Sequence, residues 1–350
     1  MGAGVFGSSI ARELSRRGWQ VTVVEQYTPG NVRSGSGGDT RLLRFSHGDV
    51  EWYSLLARRS LELWRELEST SGQKLFEPVG ITWFDSGSGD FSVRSEATLK
   101  RLGIPCERLT VDEARRFFPS LAGDDLHSVL LEPDAGVLYA RAATRALAAG
   151  LDVKVGRPTP EAPPVADVVV WCCGSWLAGL FPELVEQRIT RRDVFFFGVG
   201  GEWAGIPGFC DYDGLYYGHG ELGGLGMKVA PDGSGPEVDP DDLRRIPDPA
   251  MEALAREYVA RRFPSLAEAP VIGARVCQYD LTLDTHFLVA RHPDETGWWL
   301  VGGGSGHGFK HGPALGEYVA DCIEERRQPE PFHGLGPRSG HAGLRTAEAT

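Results

Sequence analysis

The spacing of apolar residues changes period early in this chain. Ile10, Ala11 and Leu14 recur at helical spacing, Glu13, Arg16 and Arg17 fall on the opposite side, and Gly18 closes the segment. Val21-Thr22-Val23-Val24 follows and predicts a buried strand. Residues 28–40, rich in Gly, Ser, Thr and Pro, predict a long loop. Trp52, Leu55, Leu56, Leu61, Leu63 and Trp64 then predict an amphipathic helix over 50–68, and a strand is predicted over 79–84. Further helices are predicted over 92–101, 111–118, 140–149 and 250–262, and from about 313 to 326. Asp167–Gly174 and Trp298–Gly304 are apolar runs that break into glycine, as expected of parallel strands. Val194-Phe195-Phe196-Phe197 and Leu215-Tyr216-Tyr217 differ. They are aromatic and bounded by Gly and Asp, which predicts antiparallel strands over 192–200 and 214–230.

The fold class that follows is α/β combined with α+β. A Rossmann-like domain is assembled from 1–75, 130–180 and 275–327. An antiparallel-sheet substrate domain, built from 76–129 and 181–274, is interleaved with it. Residues 328–350, Pro/Gly/Ala-rich and polar, read as a loose tail.

Gly2-Ala3-Gly4-Val5-Phe6-Gly7 is a Gly-x-Gly-x-x-Gly turn leading into the first helix, and Glu25 ends the next strand. The first glycine allows a tight turn, the second lets backbone approach a pyrophosphate, and the third lets helix and sheet pack closely. The helix start offers N–H groups to phosphates, and Glu25 stands where a carboxylate can meet a ribose hydroxyl. In this architecture a central strand precedes the turn, so several more apolar, β-branched residues are expected ahead of Gly2 in the native protein. Gly174, at the end of its strand, is expected to touch the cofactor, because ligands bind at strand C-termini in such sheets.

Composition narrows the partners. The chain of 350 residues is 41% hydrophobic and 24% charged, ordinary for a globular protein. A net charge of −12 with no basic block argues against nucleic acid or an anionic membrane, and no apolar run approaches a membrane span. The six cysteines are scattered without metal-ligand spacing, and Cys172-Cys173 sit in an apolar strand, so a reducing cytoplasm and no metal are expected.

Four cations stand in unusual surroundings. Arg41 and Arg44 follow the tight turn Gly38-Asp39-Thr40. They are either surface arginines or inward forks for a carboxylate or phosphate. Lys228, in a glycine-rich apolar strand, either snorkels outward or has a buried role. Lys310 follows Gly306-His307-Gly308-Phe309 at a helix start near the expected cofactor, with His307 a possible helix cap. Cys277 reads by default as a buried strand thiol, since nothing local supplies the positive charge that reactivity needs.

Taken together, four segments resemble the monomeric sarcosine oxidase and N-methyltryptophan oxidase group of the D-amino acid oxidase-like flavoenzymes. They are Gly38-Asp39-Thr40-Arg41-Leu42-Leu43-Arg44, Tyr216-Tyr217-Gly218 with Gly226-Met227-Lys228, Cys277-Gln278-Tyr279 followed by Thr282–Phe287, and Ser305–Lys310. The resemblance implies FAD, attached covalently through Cys277. It implies that Arg44 and Lys310 clamp a substrate carboxylate and that Lys228 lies over the flavin and promotes reaction with oxygen. Arg41, Tyr217 and Tyr279 would line the pocket, with Gly306, His307 and Lys310 beside the cofactor. It further implies an FAD-dependent amine oxidase, acting as a monomer on an N-methyl or cyclic secondary amino acid and O2, and yielding an imine and H2O2. A flavin dehydrogenase with another acceptor and a non-catalytic flavin-binding protein are the alternatives. Gly37 stands where relatives carry a histidine, and Pro231-Asp232 replace a region that carries another. Gly150–Asp167 is too short for the β-meander that relatives place there.

Overall fold

A computed structural model describes residues 1–338 and 344 and arranges their strands in four sheets. The largest has eight strands. In spatial order they are Val271–Leu281, Arg188–Phe197, Met227–Pro231, Tyr216–Glu221, Gly208–Asp211, Ile81–Asp85, Ser128–Glu132 and Glu107–Leu109. All neighbours run antiparallel except Gly208–Asp211 beside Ile81–Asp85. The aromatic run Val194–Phe197 is apolar throughout because both of its faces are covered. Phe195 and Phe197 join Phe84, Phe209 and Tyr258 on one side, while Val194 and Phe196 meet Tyr217 and Cys277 on the other.

The parallel portion is in two pieces. Thr22–Glu25 pairs with Asp152–Val155, and Val169–Trp171 pairs with Trp298–Gly302, which also pairs antiparallel with Leu288–Arg291. Met1 and Gly2 lie between these pieces. The Gly2 N–H donates to the Val24 carbonyl at 2.8 Å, and the Cys172 N–H donates to the Met1 carbonyl at 2.8 Å. The fourth sheet, of Thr40–Leu43, Gly136–Tyr139 and Phe76–Glu77, carries the turn with Arg41 and Arg44. Helix Val5–Arg16 packs directly on helix Gly312–Ile323. The backbones come so close that a Cβ on Gly316 would stand 2.7 Å from the Ser9 carbonyl oxygen.

The structure departs from the sequence pattern in places. The helix expected over 111–118 is one turn, Val111–Ala114, capped by Thr110 and Glu113 and tightening into a 3₁₀ turn at Arg115–Phe117. The expected loose tail is docked as far as it is described. His333 meets the Tyr318 hydroxyl at 3.0 Å, Arg338 pairs with Asp284 at 2.8 Å, and Leu344 is buried. Its anchors are single residues without period, so no amphipathic pattern announced them. The remainder of 339–350 lies outside the described residues. Among the described residues no helix is long and apolar enough to cross a membrane.

Candidate active site

Close approach shapes the first turn. Gly2 has φ +88°, and a Cβ there would meet the Cys172 carbonyl oxygen at 2.4 Å; a Cβ on Gly7 would stand 1.9 Å from the Gly2 oxygen. The helix beginning at Val5 has no side-chain cap from Gly4, and the Val5 N–H donates to Ser36 Oγ at 2.9 Å. In front of this helix start opens a cavity of about 610 Å³, with Gly2, Gly4, Glu25, Arg41, Gly174 and Gly306 on its wall. Glu25 also holds the turn, accepting the Ala3 N–H at 2.7 Å and the Tyr27 N–H at 3.0 Å. Gly7 is behind the wall, where it allows the packing just described. Asp280, not singled out by sequence, lies on the same wall. Its carboxylate accepts the Gly304 N–H at 3.1 Å, and burial pushes its pKa up to about 6.

A second chamber of about 70 Å³ adjoins the first. Arg41, Tyr279, Gly306 and Phe309 line both. Arg44, Tyr217, His307 and Lys310 line only the smaller one, so the structure places His307 and Lys310 there rather than along the large cavity. Arg44 is buried, its guanidinium 4.9 Å above the Trp83 ring. It donates to the Ser46 carbonyl and, at 2.7 Å, to the Leu344 carbonyl. Lys310 Nζ donates to the His307 carbonyl at 2.7 Å. Burial lowers the pKa of both groups, and Arg44 lowers that of Lys310 further. The Tyr217 and Tyr279 hydroxyls are 3.1 Å apart. Tyr279 donates to Asp232 at 3.2 Å, and Arg192 stands 4.0 Å from the same carboxylate.

Glu132, which sequence reasoning missed, fixes the backbone beside Arg44. Its buried carboxylate accepts the Phe45 N–H at 2.5 Å, the Ser46 N–H at 3.0 Å, the Ser46 hydroxyl, and Trp83 Nε1 at 2.7 Å. Glu132→Ala leaves these donors unpaired. It is expected to cost about 3–5 kcal/mol of stability, measured by denaturant unfolding.

Lys228 and Cys277 stand behind the cavity walls. Lys228 is buried, with Nζ donating to the Thr40 carbonyl at 3.3 Å and lying 5.0 Å from the Tyr217 ring centre. Burial, and then the charge of Arg41, pull its pKa down to about 7. Cys277 is half-buried, and the Arg41 and Arg245 guanidiniums are close enough to interact with it electrostatically, while Arg41 donates to the Thr40 and Gly35 carbonyls. Positive charge thus reaches Cys277 from Arg41, far away in sequence, as well as from its own strand, which carries Arg275. Gly37 admits no larger residue in this loop, since a Cβ would fall 1.8 Å from the Asn31 oxygen.

The large cavity offers a helix start, the Glu25 carboxylate and the glycines Gly2 and Gly4 on one wall, a lining that fits FAD. The family described as DAO, FAD dependent oxidoreductase, matches residues 1–322. The chain belongs to this family. It is an FAD-dependent oxidoreductase, and FAD is its cofactor. It is 30% identical to a monomeric sarcosine oxidase of Streptomyces avermitilis, over 97% of this chain and 96% of the relative. It is 28% identical to a monomeric sarcosine oxidase of Bacillus sp. (strain B-0618), over 91% of this chain and 90% of that one. An N-methyl-L-tryptophan oxidase of Yersinia pestis is 24% identical over 94% of this chain and 95% of the relative. These relatives are amine oxidases, and this DAO-family chain is an enzyme of their class, an oxidoreductase acting on CH–NH bonds. The crystal structure of L-proline dehydrogenase from P. horikoshii superposes with a TM-score of 0.83 at 21% identity, covering 95% of each chain, and shares the fold.

Proposed function

We propose that this enzyme oxidises a compact secondary amino acid, N-methylated or cyclic, to an imine while O2 is reduced to H2O2. The observation that carries the reading is the junction of the two chambers. A cavity fitted to FAD meets, along Arg41, Tyr279, Gly306 and Phe309, a small chamber holding two buried cations, Arg44 and Lys310. When bound, FAD supplies the two-electron acceptor for the amine and the electron donor for oxygen.

The residues of the chain do the remainder. Arg44 and Lys310 bind the carboxylate and so present the rest of a small amino acid to the junction, lowering the entropic cost of reaction. Tyr217, Tyr279 and Arg41 close the chamber against water. Lys228, when protonated, holds a positive charge near the reacting region, where negative charge develops as oxygen is reduced. A chamber of about 70 Å³ favours substrates nearer sarcosine than N-methyltryptophan in size.

Anaerobic mixing of the holoenzyme with sarcosine, proline and other secondary amino acids tests the reading. Bleaching of the flavin band by at least one of them is expected, with stoichiometric peroxide once air is admitted. Bleaching without peroxide would mean a dehydrogenase, and no bleaching by any amine would end the catalytic reading. Attachment of FAD through Cys277 is part of the proposal, supported by the guanidinium beside its sulfur. Acid-precipitated wild type is expected to stay yellow and Cys277→Ala to lose its colour to the supernatant. A colourless wild-type pellet would show that the cofactor is held without a bond.

A further inference from the structure

Three imidazoles converge behind the small chamber, and the chemistry above leaves His47 and His311 unused. His47 lies in the loop after strand Thr40–Leu43. His307 lies in the turn before, and His311 at the end of, the 3₁₀ turn Phe309–His311 that leads into helix Gly312–Ile323, and their ring centres are 5.9 Å apart. All three are buried, and one nitrogen of each lies within 4.8 Å of the others.

Hydrogen bonds settle which nitrogens are free. His47 Nδ1 meets the Phe45 carbonyl at 2.8 Å, and His307 Nε2 meets the Thr285 carbonyl at 2.9 Å. A carbonyl only accepts, so these nitrogens carry the protons, and the lone pairs reside on His47 Nε2 and His307 Nδ1. Those two atoms and both nitrogens of His311 have no hydrogen-bond partner. Buried polar atoms without partners are uncommon, and several in one place point to a shared ligand. Burial, and then the charge of Lys310, push the pKa of all three rings well down.

We propose that His47, His307 and His311 bind a transition-metal dication of the zinc class. Ligating histidines commonly donate their other N–H to a carbonyl, which fixes the tautomer, and His47 and His307 do so here. Three nitrogen ligands suit Zn²⁺ and leave a fourth position for water. Tetrahedral bonds of about 2.0–2.1 Å place nitrogens about 3.4 Å apart, so the rings must close by about an ångström. Tyr53 lies 5.6, 5.1 and 5.6 Å from the ring centres of His47, His307 and His311, and Phe287 stacks on His307 at 4.9 Å, so the site is enclosed by rings. Arg44 and Lys310 oppose the ion, which makes the site weaker than one carrying anionic ligands. Occupancy also ties the metal to the clamp, since the His307 carbonyl holds Lys310.

The test uses FAD-loaded protein stripped with chelator, dialysed against micromolar Zn²⁺, desalted and assayed for zinc. About one zinc per chain is expected, with a rise in Tm over the stripped form. His47→Phe and His311→Phe should each weaken zinc retention at least tenfold while keeping the flavin spectrum, and the exposed-site control His127→Ala should retain it. No zinc on the wild type, or equal zinc on the His47→Phe/His311→Phe double variant, overturns the proposal. Should the variants fail to fold, X-ray absorption at the zinc edge of the wild type decides. Three nitrogen neighbours support the site, and sulfur neighbours assign the metal to cysteines and overturn it.

Discussion

Arg44→Ala should raise KM for N-methylated amino acids by about 10²–10³-fold, the range expected when one partner of a buried charge pair is removed. The same change should raise KM for a simple secondary amine by less than about tenfold, because no carboxylate is lost there. The contrast follows from the setting. Arg44 is buried in the small chamber, its backbone neighbours are fixed by Glu132, and Lys310 is the second cation on that wall. A carboxylate seated between them exchanges water for two charge-assisted partners. Steady-state kinetics on matched pairs, an N-methyl amino acid against the corresponding N-methyl amine, give the answer. Equal losses on both would assign Arg44 to packing against Trp83.

Lys228→Met should slow reoxidation of the reduced enzyme by oxygen about 10²–10³-fold, a typical loss for one aimed positive group. Flavin reduction by substrate should change far less. Stopped-flow separates the two half-reactions, and equal slowing of both would mean that Lys228 only shapes the pocket. The wild-type oxygen rate should fall as pH rises and Lys228 loses its proton, whereas the variant should be flat. The linkage has a definite sign. The folded pKa, about 7, lies below the ordinary value of 10.5 for lysine. Burying the ammonium therefore costs stability that is fully present below pH 7 and is relieved as pH rises toward 10.5. In cofactor-free protein, Lys228→Met should accordingly raise Tm most at pH 6 and progressively less toward pH 10.

Much of this was legible in the chain. The glycine turn, Glu25 and the glycine-terminated runs could be read because each has a local backbone reason, and the structure brings them to the wall of one cavity. The two arginines and two lysines were visible as odd cations, but their direction was open, since a strand residue's facing depends on partners that only the sheet supplies. Lys228 illustrates this. Its position follows from Thr40 and Tyr217, neither near it in the same strand. Glu132 carried no local signal, because an acid in an apolar strand has no periodicity of its own, and Asp232, just past strand Met227–Pro231, was visible only as part of a stretch that differs from relatives. His307 and His311 were readable as a four-residue spacing, but His47 comes from a distant loop, and no search for cysteine spacing reaches it.

The Met1–Gly2 seam has a consequence for how the protein holds together. The two parallel pieces meet there through a few backbone hydrogen bonds of Met1 and Gly2, to Val24 on one side and to Val170 and Cys172 on the other, and the large cavity spans the join, with Val24 and Glu25 on one bank and Cys172 to Gly174 on the other. FAD laid across it would be a keystone as well as a reagent. Emptied protein should exchange amide protons at Val23, Val24, Val170 and Trp171 together and early, and refilling the arch should silence both banks at once.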